Sequence, residues 1–217
     1  HHRSSAASDV YKRQGLKKDF WCRATARLPV PFSRVGLKLD SSNIFTTSQS
    51  SKSQHKLAAN PMTIFAPRVI EDFSAGEVFH TGHYVLDEEA LLQFSNVYDP
   101  QPLHTDADFA KDGPFGALIA SGIQTIAISI RLFVEMGMFN GTCLAGPSMD
   151  NVRFKRPVYI GDRLRCTVTV LEARLSSKDP GRGVLRTRYD MFNQNDVEVL
   201  SHEITTMIKS KNSKPKP

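Results

Sequence analysis

The sequence predicts an α+β domain in which one curved antiparallel sheet wraps around one long central helix. Two features of the sequence lead to this prediction. Residues 122–138 form a long apolar segment with helical spacing, and nearly all of the chain after Gly146 consists of strand-like segments separated by turns. A helix that is apolar around most of its circumference must be buried. A sheet of successive antiparallel strands that covers the helix satisfies this order of elements.

The segment before the central helix predicts a first strand and two short helices. Residues 77–86 (EVFHTGHYVL) are strand-like and end at Asp87. Asp87 is a good N-cap for a helix, and the two glutamates that follow it suit the positive end of the helix dipole. This helix has to end before Pro100. Thr105 or Asp106 can cap a further short helical turn.

The central segment, residues 122–138, is the organising element of the predicted fold. Its apolar residues at helical spacing are Ile123, Ile126, Ala127, Ile130 and Val134. Other apolar side chains fill much of the remaining circumference, so we expect this helix to be buried on all sides. Seventeen residues are too many for an ordinary strand, although the isoleucines would suit one.

Four strands are predicted after the central helix. They cover residues 149–154, 164–170, 184–192 and 197–208. The second of them alternates apolar and polar residues, the period of a strand with one buried face. Glycine and asparagine-rich segments between the strands are typical of turns.

The charge of the chain is concentrated in its first part. Residues 1–61 carry 11 Lys/Arg and 3 Asp/Glu, a balance of +8, whereas residues 62–217 carry a balance of −2. We expect residues 1–61 to be a disordered basic leader or a non-native upstream segment, with a single domain over residues 62–217. A mitochondrial transit peptide is the alternative interpretation of the leader, which would place the protein in the mitochondrial matrix.

The domain itself shows no signal for nucleic acid, membrane or disulfides. A body close to neutral lacks the long-range field that nucleic acid binding uses. Three widely spaced cysteines (Cys22, Cys143 and Cys166) form no disulfide or zinc pattern, which suits a reducing compartment. No run approaches the roughly 18 apolar residues of a membrane span. We therefore expect a soluble, cytoplasmic protein that needs no metal or cofactor.

Residues 98–104 (YDPQPLH) are the most informative stretch for function. Two prolines exclude a continuous helix and stiffen an exposed loop between Asp99 and His104. The ordinary pKa values of Asp and His, about 3.9 and 6.5, bracket the range in which one group can accept a proton while the other supplies one. The alternative is structural, because an Asp in a proline-rich turn often caps the turn and a lone His is often part of the packing.

This stretch resembles the signature of MaoC-like dehydratases and R-specific enoyl-CoA hydratases. The matching positions are Asp99, Gln101, Pro102 and His104. Residues 117–122 (ALIASG) resemble the entry into that family's central helix, and residues 151–164 (NVRFKRPVYIGDRL) resemble the strand and turn that follow it. The sequence departs from the family pattern at Gln101, where the family has Asn, and at Tyr98, where it often has Gly.

The resemblance implies a single hot-dog domain over roughly residues 64–210. It also implies a carbon–oxygen lyase that adds or removes water at the α,β double bond of an acyl thioester of coenzyme A or acyl carrier protein. Asp99 and His104 would be catalytic, and Gln101, Ser121 and Gly122 would bind substrate. Ser121 also fits a plain helix N-cap, and Gly122 fits a plain strand-to-helix turn. The family further implies a homodimer or larger homo-oligomer, with the acyl pocket between subunits.

Two other functions remain compatible with this fold. A hot-dog thioesterase would hydrolyse the thioester, but such enzymes usually place their acid on the central helix. Here that helix carries only Arg131 and Glu135 as ionisable residues, both late in the segment. A non-catalytic acyl-thioester-binding module would be expected to lack Asp99 or His104, and both are present.

Overall fold

The computed structural model describes residues 64–213, and the predicted leader over residues 1–61 lies outside them. After a short 3₁₀ turn at Ile70–Asp72, the elements follow in chain order. They are strand β1 (Val78–Val85), helices α1 (Glu88–Tyr98), α2 (Pro102–Thr105), α3 (Ala107–Lys111) and α4 (Gly122–Val134), and strands β2 (Cys143–Phe154), β3 (Arg163–Leu175), β4 (Arg182–Phe192) and β5 (Glu198–Lys209).

The five strands form one antiparallel sheet in the order β1-β3-β4-β5-β2. Helix α4 packs on one face of this sheet through aromatic contacts. The ring of Phe133 lies 5.7 Å from that of Phe79 on β1 and 5.5 Å from that of Tyr189 on β4. The α+β hot-dog architecture predicted from the sequence, with a sheet around one central helix, is therefore confirmed.

The predicted helix starts before α4 are also confirmed. The Asp87 carboxylate accepts a hydrogen bond from the backbone N–H of Ala90 at 2.7 Å, and α1 then ends at Tyr98, ahead of Pro100. Of the two candidate caps for the next turn, Asp106 is the one used, because its carboxylate accepts from the Phe109 N–H at 3.0 Å. Both caps satisfy N–H groups that have no partner inside their own helix.

Two element boundaries differ from the prediction. Helix α4 ends at Val134 and not at residue 138, because the chain turns at Gly137 with a φ of +87°, a conformation that L side chains rarely adopt. Strand β2 starts at Cys143, six residues before the predicted start. Gly146 and Pro147 predict a break, but β2 is an edge strand and an edge position tolerates proline.

The prediction that α4 is buried on all sides is wrong for the single chain. Ile123 and Val134 are 58% and 43% exposed, whereas the polar Gln124, Thr125 and Ser129 face inward and are buried. The helix thus turns a mixed face inward, on which Ile128, Leu132 and Phe133 accompany these polar residues, and an apolar stripe outward. No helix within the described part of the chain is long and apolar enough to cross a membrane.

A buried polar pair connects α4 to β5. The Ser129 hydroxyl lies 2.8 Å from Nε2 of His202 and donates to the carbonyl of Ile126 at 2.7 Å, so the imidazole Nε2–H is the donor to the hydroxyl. His202 is 1% exposed and stacks on Tyr189 with ring centroids 4.7 Å apart. Burial lowers the pKa of His202 to about 4. Its Nδ1 has no hydrogen-bond partner within residues 64–213.

Candidate active site

The end of helix α1 positions Asp99. This residue is the C-cap of α1, and its backbone N–H donates to the carbonyl of Ser95 at 3.0 Å. The chain then turns, with the N–H of Gln101 donating to the carbonyl of Asp99 at 2.8 Å. Because the backbone on both sides of Asp99 is hydrogen-bonded, its carboxylate projects from a fixed base.

His104 lies on a short helix and not on the exposed loop predicted from the sequence. The prolines do exclude a helix that runs through Asp99 and His104, but Pro102 occupies the first position of α2, where its missing N–H costs nothing. His104 is consequently buried, with 5% of its surface exposed. Its Nδ1 lies 2.8 Å from the carbonyl oxygen of Ile119. A carbonyl can only accept, so Nδ1 carries a proton, and in the neutral form of the ring Nε2 is the unprotonated nitrogen.

The two side chains meet as the sequence predicts. Nε2 of His104 and Oδ2 of Asp99 are 3.5 Å apart. The same Oδ2 accepts from the Ser121 hydroxyl at 2.5 Å, and Oδ1 accepts from the Gln101 amide at 2.7 Å. Burial raises the pKa of Asp99, but these two hydrogen bonds lower it, as does the charge of His104 when its ring is protonated, and the net shift is downward. The carboxylate is therefore held ionised beside an imidazole nitrogen.

Ser121 is the helix N-cap considered from the sequence, and it also contacts Asp99. As the N-cap of α4, its hydroxyl oxygen accepts a hydrogen bond from the N–H of Ile123 at 3.3 Å. The same hydroxyl donates a hydrogen bond to Asp99. The next residue, Gly122, begins the helix, and its N–H has no hydrogen-bond partner among the described residues. An unpaired N–H at the start of a helix favours negative charge. An N–H donor unpaired within the described residues, that of Gly122, therefore directly follows Ser121, whose hydroxyl is hydrogen-bonded to Asp99.

Gln101 lies against the carboxylate of Asp99. Its side-chain amide donates to Oδ1 of Asp99 and retains a second N–H and its oxygen. The other predicted residues, Asp99, His104, Ser121 and Gly122, are brought together at the start of α4. The Ile119 carbonyl could not be identified from the sequence, since a backbone group leaves no signal in residue type.

Phe154, at the end of β2, is a second neighbour that the sequence analysis did not single out. A Cβ built on Gly122 would lie 2.7 Å from Cζ of Phe154, so the ring lies directly against the start of α4. The phenyl ring is nevertheless 53% exposed. The absence of a side chain at Gly122 therefore leaves room for this ring.

The ionisable side chains nearby on the sheet have other contacts. His80 and His83 lie on β1, and Nδ1 of His80 is 3.3 Å from the Thr167 hydroxyl. Lys155, directly after β2, is paired with Glu198 at 2.5 Å. Within residues 64–213 no group of three or more His, Cys, Asp or Glu side chains is arranged to hold a metal ion.

Comparison with known proteins identifies relatives over this same part of the chain. The family model described as the MaoC like domain matches residues 72–188. The uncharacterized protein YdeM of Bacillus subtilis is 36% identical over 143 residues, which are 64% of this chain and 98% of that protein. The 3-hydroxyacyl-thioester dehydratase Z of Mycobacterium tuberculosis is 34% identical over 103 residues, which are 47% of this chain and 66% of the dehydratase.

Solved structures agree with these matches. The MaoC-like dehydratase from Rhodospirillum rubrum superposes with a TM-score of 0.61 at 28% identity, over 69% of this chain and 99% of that one. The R-hydratase PhaJ1 from Pseudomonas aeruginosa shares the fold, with a TM-score of 0.53 at 24% identity over 69% of this chain and 94% of that one. The family model covers more than half of the 217 residues. This chain belongs to the MaoC-like dehydratase family.

Proposed function

We propose that this protein is a hydratase or dehydratase that adds or removes water at the α,β double bond of an enoyl thioester, with coenzyme A or an acyl carrier protein as carrier. One observation supports this most directly. An ionised carboxylate, Asp99, lies 3.5 Å from Nε2 of His104, the ring nitrogen that does not face the Ile119 carbonyl. Two atoms at this separation can both lie within hydrogen-bond distance of one water molecule beside them.

Hydration of a conjugated thioester needs three things. A water must be activated for attack on the β-carbon, a proton must reach the α-carbon, and negative charge on the thioester oxygen must be stabilised. Asp99 and His104 supply the first two, since both can exchange a proton with a water held between them. The free N–H of Gly122 is suited to the third, because a fixed donor at a helix start stabilises a developing oxyanion.

The proton balance of this reaction closes within the pair. The water oxygen bonds to the β-carbon and gives up one proton to the Asp99–His104 pair. The pair delivers one proton to the α-carbon, and the double bond becomes a single bond. No oxidant, reductant or metal is consumed, and the reverse sequence is dehydration. Ser121 and Gln101 keep Asp99 ionised by donating to its two oxygens, so its role as an acceptor is available at neutral pH.

The relatives support this reaction over thioester hydrolysis. Dehydratase Z acts, by its name, on 3-hydroxyacyl thioesters, and the chain matches about two thirds of its length. A thioesterase acid on α4 is disfavoured by position, because Glu135 caps the far end of the helix and is hydrogen-bonded to Arg131 at 2.6 Å. The carboxylate that lies near the start of α4 is that of Asp99, at the end of helix α1.

A panel of trans-2-enoyl-CoA thioesters tests the proposal. Loss of the conjugated-alkene absorbance reports hydration, and a thiol reagent in a parallel assay reports release of free coenzyme A. We expect absorbance loss without thiol release. Thiol release at the same rate as absorbance loss would establish a thioesterase, and binding of the thioester with neither signal would establish a non-catalytic module.

We also propose that the active species is a homodimer or larger homo-oligomer, because the described residues of one chain leave the outward apolar stripe of α4 and the open edge of β2 uncovered. Val134→Asp on the stripe should shift the protein to a smaller species in light scattering after gel filtration. Asp108→Asn, an exposed change on α3, is the matched control and should leave the mass unchanged. A wild-type protein that is monomeric at micromolar concentration and fully active would exclude a shared pocket.

A further inference from the structure

Strand β2 contains a bulge just before it reaches the candidate site. Asp150 pairs with Glu203 and Arg153 pairs with Ser201, so two residues of β2, Asn151 and Val152, oppose one residue of β5. Asn151 takes a φ of +54°, a value uncommon for a residue other than glycine. Its side-chain amide donates to Glu203 on β5 at 3.1 Å.

The bulge decides which face of the sheet Phe154 occupies. Phe154 pairs with Leu200, a fully buried residue, and residues that pair across antiparallel strands point to the same face. In a regular ladder continued from Asp150, Phe154 would instead pair with Val199 and point to the opposite face. One extra residue reverses the alternation, which is a known use of bulges near functional sites. The ring is thereby aimed at Gly122.

The position of the ring relative to the proposed substrate follows from the chemistry of the thioester. If the thioester oxygen accepts from the Gly122 N–H, the α-carbon lies one bond from the carbonyl carbon. The phenyl ring lies directly against Gly122, since a Cβ there would be 2.7 Å from Cζ of Phe154, so a thioester held by the Gly122 N–H would have this ring as its neighbour. A methyl group on the α-carbon needs more room beside the ring than a hydrogen does.

We infer that Phe154, placed by the Asn151 bulge, is the residue that makes this site select enoyl thioesters unbranched at the α-carbon. This inference rests on the proposed hydration reaction and goes beyond it by assigning the substrate class. One methyl group in a close-fitting pocket changes kcat/KM by about 10- to 200-fold. The wild type should show a preference in this range for the unbranched member of a pair that differs by one α-methyl group.

The experiment compares trans-2-butenoyl-CoA with its 2-methyl homologue. We expect Phe154→Ala to reduce the ratio of the two kcat/KM values by about tenfold or more, mainly by improving turnover of the branched substrate. Leu144→Ala, an exposed apolar residue on the same strand, is the matched control and should keep the wild-type ratio. Asn151→Gly retains access to positive φ and should also retain the ratio, whereas Asn151→Val should lose it.

The outcomes separate this inference from the proposed function. Absence of hydration of every enoyl thioester by the wild type would overturn the reaction itself. Hydration by the wild type with an unchanged ratio in Phe154→Ala would overturn the role of Phe154 alone, whatever happens to the oligomeric state. Because Phe154 is half exposed, the alanine variant should fold, and its melting temperature provides the check.

Discussion

Two buried histidines, His104 and His202, lie close to helix α4, and they differ in the side chain that faces the imidazole. His104 lies at the start of the helix with a carboxylate oxygen 3.5 Å from its Nε2, and a carbonyl fixes the proton on its Nδ1. His202 lies at the middle of the helix with a serine hydroxyl as its partner, and its Nδ1 has no partner in the described residues. Both imidazoles are almost completely inaccessible to solvent.

The difference shows what burial alone does to a histidine. At His202, removal from water lowers the pKa to about 4, so the ring stays neutral throughout the physiological range and serves as packing. At His104, an adjacent ionised carboxylate supplies a second proton acceptor and a charge. The carboxylate, more than the burial of the imidazole, therefore distinguishes a site able to move protons from a polar contact in a core.

The hydration rate should fall most when the carboxylate of Asp99 or the imidazole of His104 is removed. Asp99→Asn and His104→Ala should each lower the hydration rate by about 10²- to 10⁴-fold, the usual scale for a positioned acid or base. The double variant should be little worse than the poorer single variant, because groups that act on one water are not additive. Rates with trans-2-butenoyl-CoA provide the measurement.

Two controls accompany these variants. Asp108→Asn and His80→Ala change the same residue types at exposed positions and should keep wild-type rates. Melting temperatures separate chemistry from folding. His104→Ala should lose stability as well as rate, since it removes a buried ring and leaves the Ile119 carbonyl without its donor, contrary to the sequence-based expectation of an exposed loop. Turnover of Asp99→Asn near the wild-type level would remove the carboxylate from the mechanism.

The second test concerns pH and His202. Below the ordinary histidine pKa of 6.5 the unfolded chain protonates this imidazole, whereas the folded chain resists protonation until about pH 4. The unfolded state therefore binds more protons in this window, and stability falls as the pH drops through it. The full loss is on the order of 3 kcal/mol, and no loss from this group is expected above about pH 6.5.

Chemical unfolding of the wild type and of His202→Gln between about pH 7.5 and pH 4 measures this effect. The glutamine amide can still donate to Ser129 but cannot titrate, so its unfolding free energy should depend less on pH. His80→Gln, at an exposed position, should keep the wild-type slope. Equal slopes in all three proteins would show that His202 is protonated as easily in the folded state as in the unfolded chain.

The smallest expected effect comes from the serine that connects the first site to α4. Ser121→Ala removes a donor to Asp99, which should raise the pKa of that carboxyl and move the acid limb of the rate profile to higher pH. We expect a loss of about tenfold in kcat/KM, since hydrogen bonds to charged groups contribute roughly 1.5–3 kcal/mol. Ser121→Thr keeps a hydroxyl and should restore most of the rate. A pH profile unchanged in Ser121→Ala would limit Ser121 to capping the helix.

The sequence was sufficient to predict the fold, because its helices and strands depend on residue type, whereas Asp99 and His104 were singled out by the resemblance to a family. The buried helix, the alternating strands and the caps Asp87 and Asp106 all follow from local patterns. Asp99 and His104 stand at a spacing that resembles a family signature. The structure brings them to 3.5 Å, which the spacing alone does not fix.

The features that could not be predicted depend on register and on backbone groups. The predicted β2 is too short because its edge position, which permits Pro147, is a property of the sheet and not of the segment. The bulge at Asn151 has no distinctive local sequence, so the face occupied by Phe154 could not be derived. The apolar stripe of α4 that faces outward was expected to lie in the core of the chain. Periodicity shows that a helix face is apolar but not which surface covers it.

The outward stripe of α4 also bears on how this chain would tolerate mutation. When a second copy covers the stripe, part of the free energy that holds each fold together comes from association and follows mass action. Every tenfold dilution then removes about 1.4 kcal/mol of that contribution. The melting temperature should rise with protein concentration, and a substitution that is silent in a concentrated sample can unfold the chain at nanomolar levels. The abundance of the protein in the cell would thus become one of the determinants of its stability.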